Sequence, residues 1–234
     1  MSFYKTRRSL LIGLLAVAAA TGAAHADNWN MYLTVDNQFD VYYGTPLVTN
    51  FYAGGGNNWT TTYNFTATGR PPTDYMYVAT ASDHSVAQGF IGVFTNTTLS
   101  TTIQTSTVVW EVFPAGAYAA TNPYWPSPWP ASLMPTQSEV DAAITYATTN
   151  GLWVPPSTAA GYTNGAPPWG TRPSIPSYAD WIWYDSGRDP GGWYPAPFSG
   201  FNHDEFLVFR VAGIAPEPVS SVLLGLGALL IRRR

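Results

Sequence analysis

The chain has no cysteine, so disulfides cannot stabilise it in an oxidising compartment. Charged residues are scarce, at 10% of 234 residues, and long stretches of helical hydrophobic periodicity are almost absent. A disulfide scaffold and a large helical bundle are therefore excluded. A hydrophobic core, with or without bound ions, must hold the fold together.

Lysine is nearly absent, since Lys5 is the single one, and the basic residues are concentrated at the two ends of the chain. Residues 27–213 contain four arginines against thirteen acidic residues, which is a net charge of −9. A field of this sign repels phosphate backbones, so we expect no nucleic-acid partner. It suits a surface that binds cations.

Recognisable catalytic motifs are lacking. The sequence has no glycine-rich phosphate loop with lysine, no familiar Ser/His/Asp arrangement and no cysteine-based metal motif. We therefore expect a protein that is not an enzyme. The alternative is a secreted hydrolase of glycans, which needs two carboxylates about 5–10 Å apart across a cleft. The carboxylates that we would test for that role are Asp180, Asp185, Asp204 and Glu205.

The N-terminus has the three-part layout of a secretory signal peptide. Basic residues precede an apolar segment at residues 10–20, and small residues follow at the two positions that a signal peptidase recognises, Ala24 and Ala26. We assign residues 1–26 to a signal peptide that is cleaved before Asp27. Signal peptidase and an export machinery are then partners of the chain.

The export route stays open. Arg7 and Arg8, preceded by Thr6, fit a twin-arginine signal, which directs folded proteins. Paired arginines are also common in ordinary signals, which thread an unfolded chain. Both routes remain hypotheses at this point.

The C-terminus ends in an apolar run and three cations. Residues 219–231 carry no charge and are followed by Arg232, Arg233 and Arg234, which would hold the end of the chain on the cytoplasmic side of a membrane. Thirteen helical residues reach only ~20 Å, against a hydrocarbon core of ~30 Å. We therefore expect residues 214–234 to anchor the chain transiently at the inner membrane, with the body outside.

This tail resembles a known sorting signal. Pro216, Glu217 and Pro218, the apolar run and the terminal arginines are similar to the PEP-CTERM signal of Gram-negative bacteria. The resemblance covers only about residues 215–234. It implies processing by an exosortase-type enzyme and a destination in the cell envelope or outside the cell. The alternative is a plain single-pass anchor.

Composition predicts an all-β sandwich for residues 27–213, because aromatic and β-branched residues suit strands while Gly, Pro and Asn suit turns. We expect residues 54–58 to form a loop. Alternating patterns predict strands at residues 31–36, 39–43, 59–65, 75–80, 86–94, 108–113, 181–184 and 206–211.

The middle of the body departs from this pattern. Residues 114–177 are rich in Pro and Trp, and we interpret them as an insertion packed on the sandwich. One helix is expected there: Thr136 and Glu139 form a capping box, and Asn150-Gly151 ends the helix. Its apolar face consists of Val140, Ala143, Ile144 and Ala147.

Residues 31–94 also resemble the galactose-binding-like jelly rolls of bacterial surface proteins. The resemblance implies a jelly-roll arrangement of the sandwich and transfers no sugar-binding residues. The segments that carry it are Asp36-Asn37, residues 39–44, Asn58-Trp59, residues 75–79 and residues 87–91.

Two further sets of residues are candidate binding sites. The first set consists of five tryptophans, whose indole rings would stack on pyranose rings if they are exposed. The alternative is that these rings are buried and pack the insertion onto the sandwich. The five are Trp125, Trp129, Trp153, Trp169 and Trp193. Asp185 and Asp189 flank a glycine after a predicted strand and would offer oxygens to Ca²⁺, or simply form a solvated turn. Ca²⁺ is thus the one cofactor for which ligands are present.

These observations together predict an exported cell-surface or matrix protein without enzymatic activity that binds exopolysaccharide or another glycan. A ligand-free structural component of the envelope is a further alternative to the hydrolase.

Overall fold

The computed structural model describes residues 26–82, 87–119, 134–158, 160–186 and 206–212. The strands are β1 Asp27–Asp36, β2 Gln38–Gly44, β3 Thr49–Gly56, β4 Tyr63–Arg70, β5 Tyr75–Ala81, β6 Gly89–Asn96, β7 Thr101–Gln104, β8 Glu111–Phe113 and β9 Leu207–Ala212. The helices are α1 Ala115–Ala119 and α2 Gln137–Asn150.

Two antiparallel sheets form a β-sandwich, which confirms the predicted all-β class. Sheet A has the order β4-β1-β6-β7, and sheet B has the order β3-β2-β5-β9-β8. The alternation in β1 and β2 is confirmed: Met31, Leu33 and Val35 of sheet A meet Phe39 and Val41 of sheet B in one buried cluster. Because side chains alternate between faces along a strand, the intervening residues lie on the opposite face of each sheet, where Tyr42 joins a second buried cluster.

The glycine-rich segment is part of a strand, so the prediction of a loop at residues 54–58 was wrong for its first three residues. β3 runs through Gly54, Gly55 and Gly56. A Cβ atom at Gly54 would overlap the ring of Phe65, and one at Gly56 would overlap the ring of Tyr63. Glycine is needed here because aromatic rings from β4 lie directly on the backbone of β3.

Other strand boundaries also differ from the predictions. Residues 59–62 form a turn, so β4 begins at Tyr63 and not at Trp59. Residues 107–109 form a turn in which Val108 is 87% exposed, which shortens β8. Residues 181–184 make only isolated bridges, Ile182 with Phe90 and Trp183 with Ser157.

Helix α2 covers sheet B, as its predicted apolar face requires. Val140, Ala143, Ile144 and Ala147 are all buried in a second cluster, against β-strand residues that include Tyr77. The carboxylate Oε2 of Glu139 accepts hydrogen bonds from the backbone N–H and the hydroxyl of Thr136, both at 2.7 Å. Gly151 ends the helix with φ 63° and ψ 41°, a conformation that favours glycine.

An irregular segment, residues 160–183, covers the end of sheet A where β1 finishes; we call it the loop cover. Trp169 stacks on Trp181 with ring centroids 4.2 Å apart. The indole Nε1 of Trp169 donates to Asp36 Oδ2 at 2.8 Å, and Arg172 Nη1 donates to the carbonyl of Trp59 at 3.0 Å. The loop cover is therefore hydrogen-bonded to the end of β1 and to the turn at residues 59–62.

None of the helices in the described ranges has both the length and the apolar character needed to cross a bilayer. The predicted tail, residues 214–234, and all of the predicted signal peptide except Ala26 lie outside these ranges.

Candidate ligand-binding site

Two of the five candidate tryptophans are described, and both make structural contacts. Trp169 is 1% exposed, so its ring offers no face to a ligand. Trp153 is half-buried; the Arg210 guanidinium lies 4.0 Å from its ring centroid, and its Nε1 donates to Thr148 Oγ at 3.0 Å. The other three lie outside the described residues: Trp125, Trp129 and Trp193.

Of the two candidate Ca²⁺ ligands, only Asp185 lies within the described ranges. This residue is exposed, and Asp189 lies outside the described ranges, as do Asp204 and Glu205. Within those ranges no three His, Asp or Glu side chains gather as metal ligands do. Asp180 is half-buried in the loop cover, where burial raises the pKa of its carboxyl.

Of the residues assigned to signal cleavage and sorting, only Ala26 lies within the described ranges. Ala24 and the tail residues are outside the described ranges: Pro216, Glu217, Pro218, Arg232, Arg233 and Arg234. Ala26 is described and exposed, directly before β1.

An aromatic platform on β3 was not predicted from the sequence. Tyr52 is 53% exposed, and its hydroxyl donates to Asp40 Oδ1 at 3.0 Å. The hydroxyl of Tyr42 donates to the other carboxylate oxygen of Asp40 at 3.4 Å, and the two tyrosine rings lie 5.4 Å apart. Gly55 pairs with Asp40 across the ladder and leaves space for this carboxylate. We call the side chains of Asp40, Tyr42 and Tyr52 the Tyr52 platform.

The environment of the Tyr52 platform favours the neutral form of its tyrosines. Burial, and then the Asp40 carboxylate, raises the pKa of Tyr52 to about 12. Burial also raises the pKa of Asp40, although the hydrogen bonds from both tyrosines oppose this shift. A tyrosine hydroxyl is protonated at neutral pH, so Tyr52 can donate to Asp40, and this hydrogen bond restricts the orientation of its ring.

A shallow depression of about 580 Å³, which we call the α2 groove, lies on the solvent side of α2. Within it, Tyr118 and Tyr146 stack at 3.6 Å between centroids with an interplanar angle of 19°. Asp141 accepts from the backbone N–H and the hydroxyl of Thr49 at 2.7 and 2.8 Å, which fixes the helix to the start of β3. Its lining is Tyr118, Ser138, Asp141, Ala142, Thr145, Tyr146, Thr149 and Asn150.

The α2 groove and the Tyr52 platform are neighbours. Tyr42 packs in the cluster beneath α2; burial raises the pKa of its hydroxyl, and Asp40 and, less strongly, Asp141 raise it further. Between them, the two regions offer aromatic rings, hydroxyls and amides, which is the set of groups that binds neutral polyhydroxylated molecules. Asp141 is the one carboxylate in the groove lining described above, and it already accepts two hydrogen bonds.

Sequence reasoning missed the Tyr52 platform because it assigned no strand to residues 49–56. With β3 in place, the alternation of Asn50 and Tyr52 on one face would have indicated an exposed aromatic residue. No family model, curated protein or solved structure matches this chain.

Proposed function

We propose that this chain is an exported cell-surface or extracellular-matrix protein, without enzymatic activity, that binds exopolysaccharide or another glycan. The observation that carries the proposal is Tyr52, an exposed aromatic ring held in place by Asp40. The signal-peptide pattern and the PEP-CTERM-like tail support export, with signal peptidase and an exosortase-type enzyme as processing partners.

Preorganisation of the Tyr52 ring favours the binding of a sugar. A pyranose stacks its C–H groups on an aromatic face, and the interaction is stronger when the ring has no rotamer freedom left to lose. Tyr52 is fixed at its hydroxyl by Asp40 and lies beside the ring of Tyr42. The net charge of −9 from four arginines and thirteen acids between residues 27 and 213 favours a neutral glycan over an acidic one.

The finer fold assignment is also a proposal. Successive strands change sheets at β1 to β2, β3 to β4, β4 to β5, β5 to β6 and β7 to β8, and the pairings of the described strands are all antiparallel. This repeated crossing is typical of jelly rolls and Greek keys. It supports the resemblance to galactose-binding-like domains noted for residues 31–94.

The test is glycan binding by the purified exported protein, first on an array and then by titration calorimetry with the best glycan. Tyr52→Ala should weaken binding at least tenfold. Tyr178→Ala is the matched control, because Tyr178 is 66% exposed but lies in the loop cover; it should bind like the wild type. Unchanged affinity of Tyr52→Ala would contradict the assigned site.

Two other outcomes would replace the proposal. Release of reducing sugar by the wild type, lost when one of the four candidate carboxylates is replaced by its amide, would support the hydrolase; these carboxylates are Asp180, Asp185, Asp204 and Glu205. Absence of any glycan binding, with and without Ca²⁺, would support a ligand-free structural component.

A further inference from the structure

The predicted cleavage junction lies at the edge of the folded sandwich. Ala26 is exposed, whereas Asp27, the next residue, is 2% exposed and begins β1. The backbone N–H of Asn28 donates to Thr98 Oγ at 3.0 Å, and the Thr98 hydroxyl donates to the carbonyl of Ala26 at 3.3 Å. The chain on both sides of the junction is therefore bound to the turn at residues 97–100.

The strand that begins there is held on both of its edges. β1 lies between β4 and β6, so Trp29 pairs with Ala67 on one side and with Asn96 on the other. Trp29 is 4% exposed and packs near the ring of Tyr43. A central strand with a buried tryptophan does not fray as a chain terminus does, because its release breaks two ladders and opens the core.

A peptidase must hold the backbone on both sides of a bond in its own cleft, so a folded substrate is cut only when it opens locally. We propose that cleavage between Ala26 and Asp27 precedes the folding of the sandwich, and that the chain is therefore exported unfolded and not by the twin-arginine route. The inference rests on the proposed export of the chain. In the reaction, water supplies hydroxyl to the Ala26 carbonyl carbon and a proton to the Asp27 nitrogen.

The first test uses the purified full-length precursor, folded and mixed with signal peptidase in detergent. The matched variant has a six-residue Gly/Ser spacer inserted between Ala26 and Asp27, which moves the junction away from β1. Its near-ultraviolet circular dichroism should equal that of the wild type. The folded wild type should be cut at least tenfold more slowly than the spacer variant.

Equal rates would overturn the inference while leaving the export proposal intact. If neither precursor is cut, the assigned junction itself is wrong, and the inference fails together with that part of the export proposal.

The second test addresses the export route in cells. Replacing Arg7 and Arg8 by lysine keeps the charge of the signal but removes the arginine pair that a twin-arginine route requires. The amount of processed, exported protein should stay within twofold of the wild type. Loss of export in this variant would overturn the proposed route.

Discussion

The sandwich has two covers that are stabilised in different ways. Helix α2, on sheet B, satisfies its backbone internally and contributes four apolar side chains at helical spacing. The loop cover, at the end of sheet A, has no regular structure, and its backbone groups bond to individual partners, as Asp180 N–H does to Thr105 at 3.1 Å. A helix distributes its stability over a repeating face, whereas a loop of this kind depends on particular residues.

Asn164 illustrates this dependence. Its amide nitrogen donates to the carbonyls of Arg172 and Ile175 at 3.0 and 2.6 Å, and its oxygen accepts from the Arg172 N–H at 2.6 Å. One buried side chain thus replaces the hydrogen bonds that a helix or strand would supply. In contrast, the polar contacts of α2 lie at its edges, where Thr145 and Thr148 donate to the carbonyls of Leu47 and Pro46.

The largest effect is expected in the loop cover. Trp169→Ala should lower the free energy of unfolding by about 3–5 kcal/mol, because it leaves a cavity beside Trp181 and removes a donor to buried Asp36. Urea unfolding followed by far-ultraviolet circular dichroism measures the change. Trp169→Phe keeps most of the volume and should cost clearly less. A loss below about 1 kcal/mol for Trp169→Ala would mean that the loop cover is not part of the cooperative core.

The second largest loss of stability is expected in helix α2. Ile144→Ala should cost about 2–5 kcal/mol, since Ile144 is fully buried against sheet B. The same urea experiment applies, and Thr149→Ala, on the exposed side of α2, should change the stability by less than about 0.5 kcal/mol. If both covers belong to one cooperative unit, Trp169→Ala and Ile144→Ala should shift every probe of unfolding together. Separate transitions would show that the covers detach independently.

The two covers also differ in how far the sequence predicted them. The cap at Glu139, the spacing of the apolar face and the stop at Gly151 are local signals, and all three are present in α2. The partner of Trp169 is Asp36, 133 residues away. No local pattern contains that contact, so the sequence indicated an insertion rich in tryptophan without showing where its rings lie.

The same distinction applies to the candidate site. The alternation in β1 and β2 was predicted because period-two burial is a local signal. β3 was missed because glycine inside a strand indicates a loop unless a ring from another strand lies on it, here the ring of Phe65 on Gly54. Tyr52 could be recognised as exposed only after β3 was assigned.

A third prediction tests the glycine that ends helix α2. Gly151→Ala should cost about 1–2 kcal/mol, because alanine is strained at φ 63°. Open space around the Cβ position excludes a steric clash, so the cost is one of backbone conformation. Gly151→Asn should recover part of the loss, since asparagine tolerates this region. Equal stability of the alanine variant and the wild type would indicate that α2 ends differently in solution.

The smallest expected effect is a pH dependence of stability that comes from the loop cover. Burial raises the pKa of Asp180 in the loop cover above its ordinary value of 3.8, so the folded state holds this proton more tightly than the unfolded state. The contribution to stability is therefore largest at low pH and declines as the pH rises through the raised pKa. Asp180→Asn removes this titration, so the stability of the wild type relative to this variant should decline as the pH rises through the raised pKa.

The slope of stability against pH should be smaller in Asp180→Asn without vanishing, because burial also raises the pKa of Asp40 and of Asp74. Urea unfolding at a series of pH values measures the difference, and Thr149→Ala, at an exposed position and without change of a titratable group, is the control that should retain the wild-type slope. An unchanged slope of stability against pH in Asp180→Asn would mean that water reaches the Asp180 carboxyl in the folded protein. The loop cover would then be more open than helix α2.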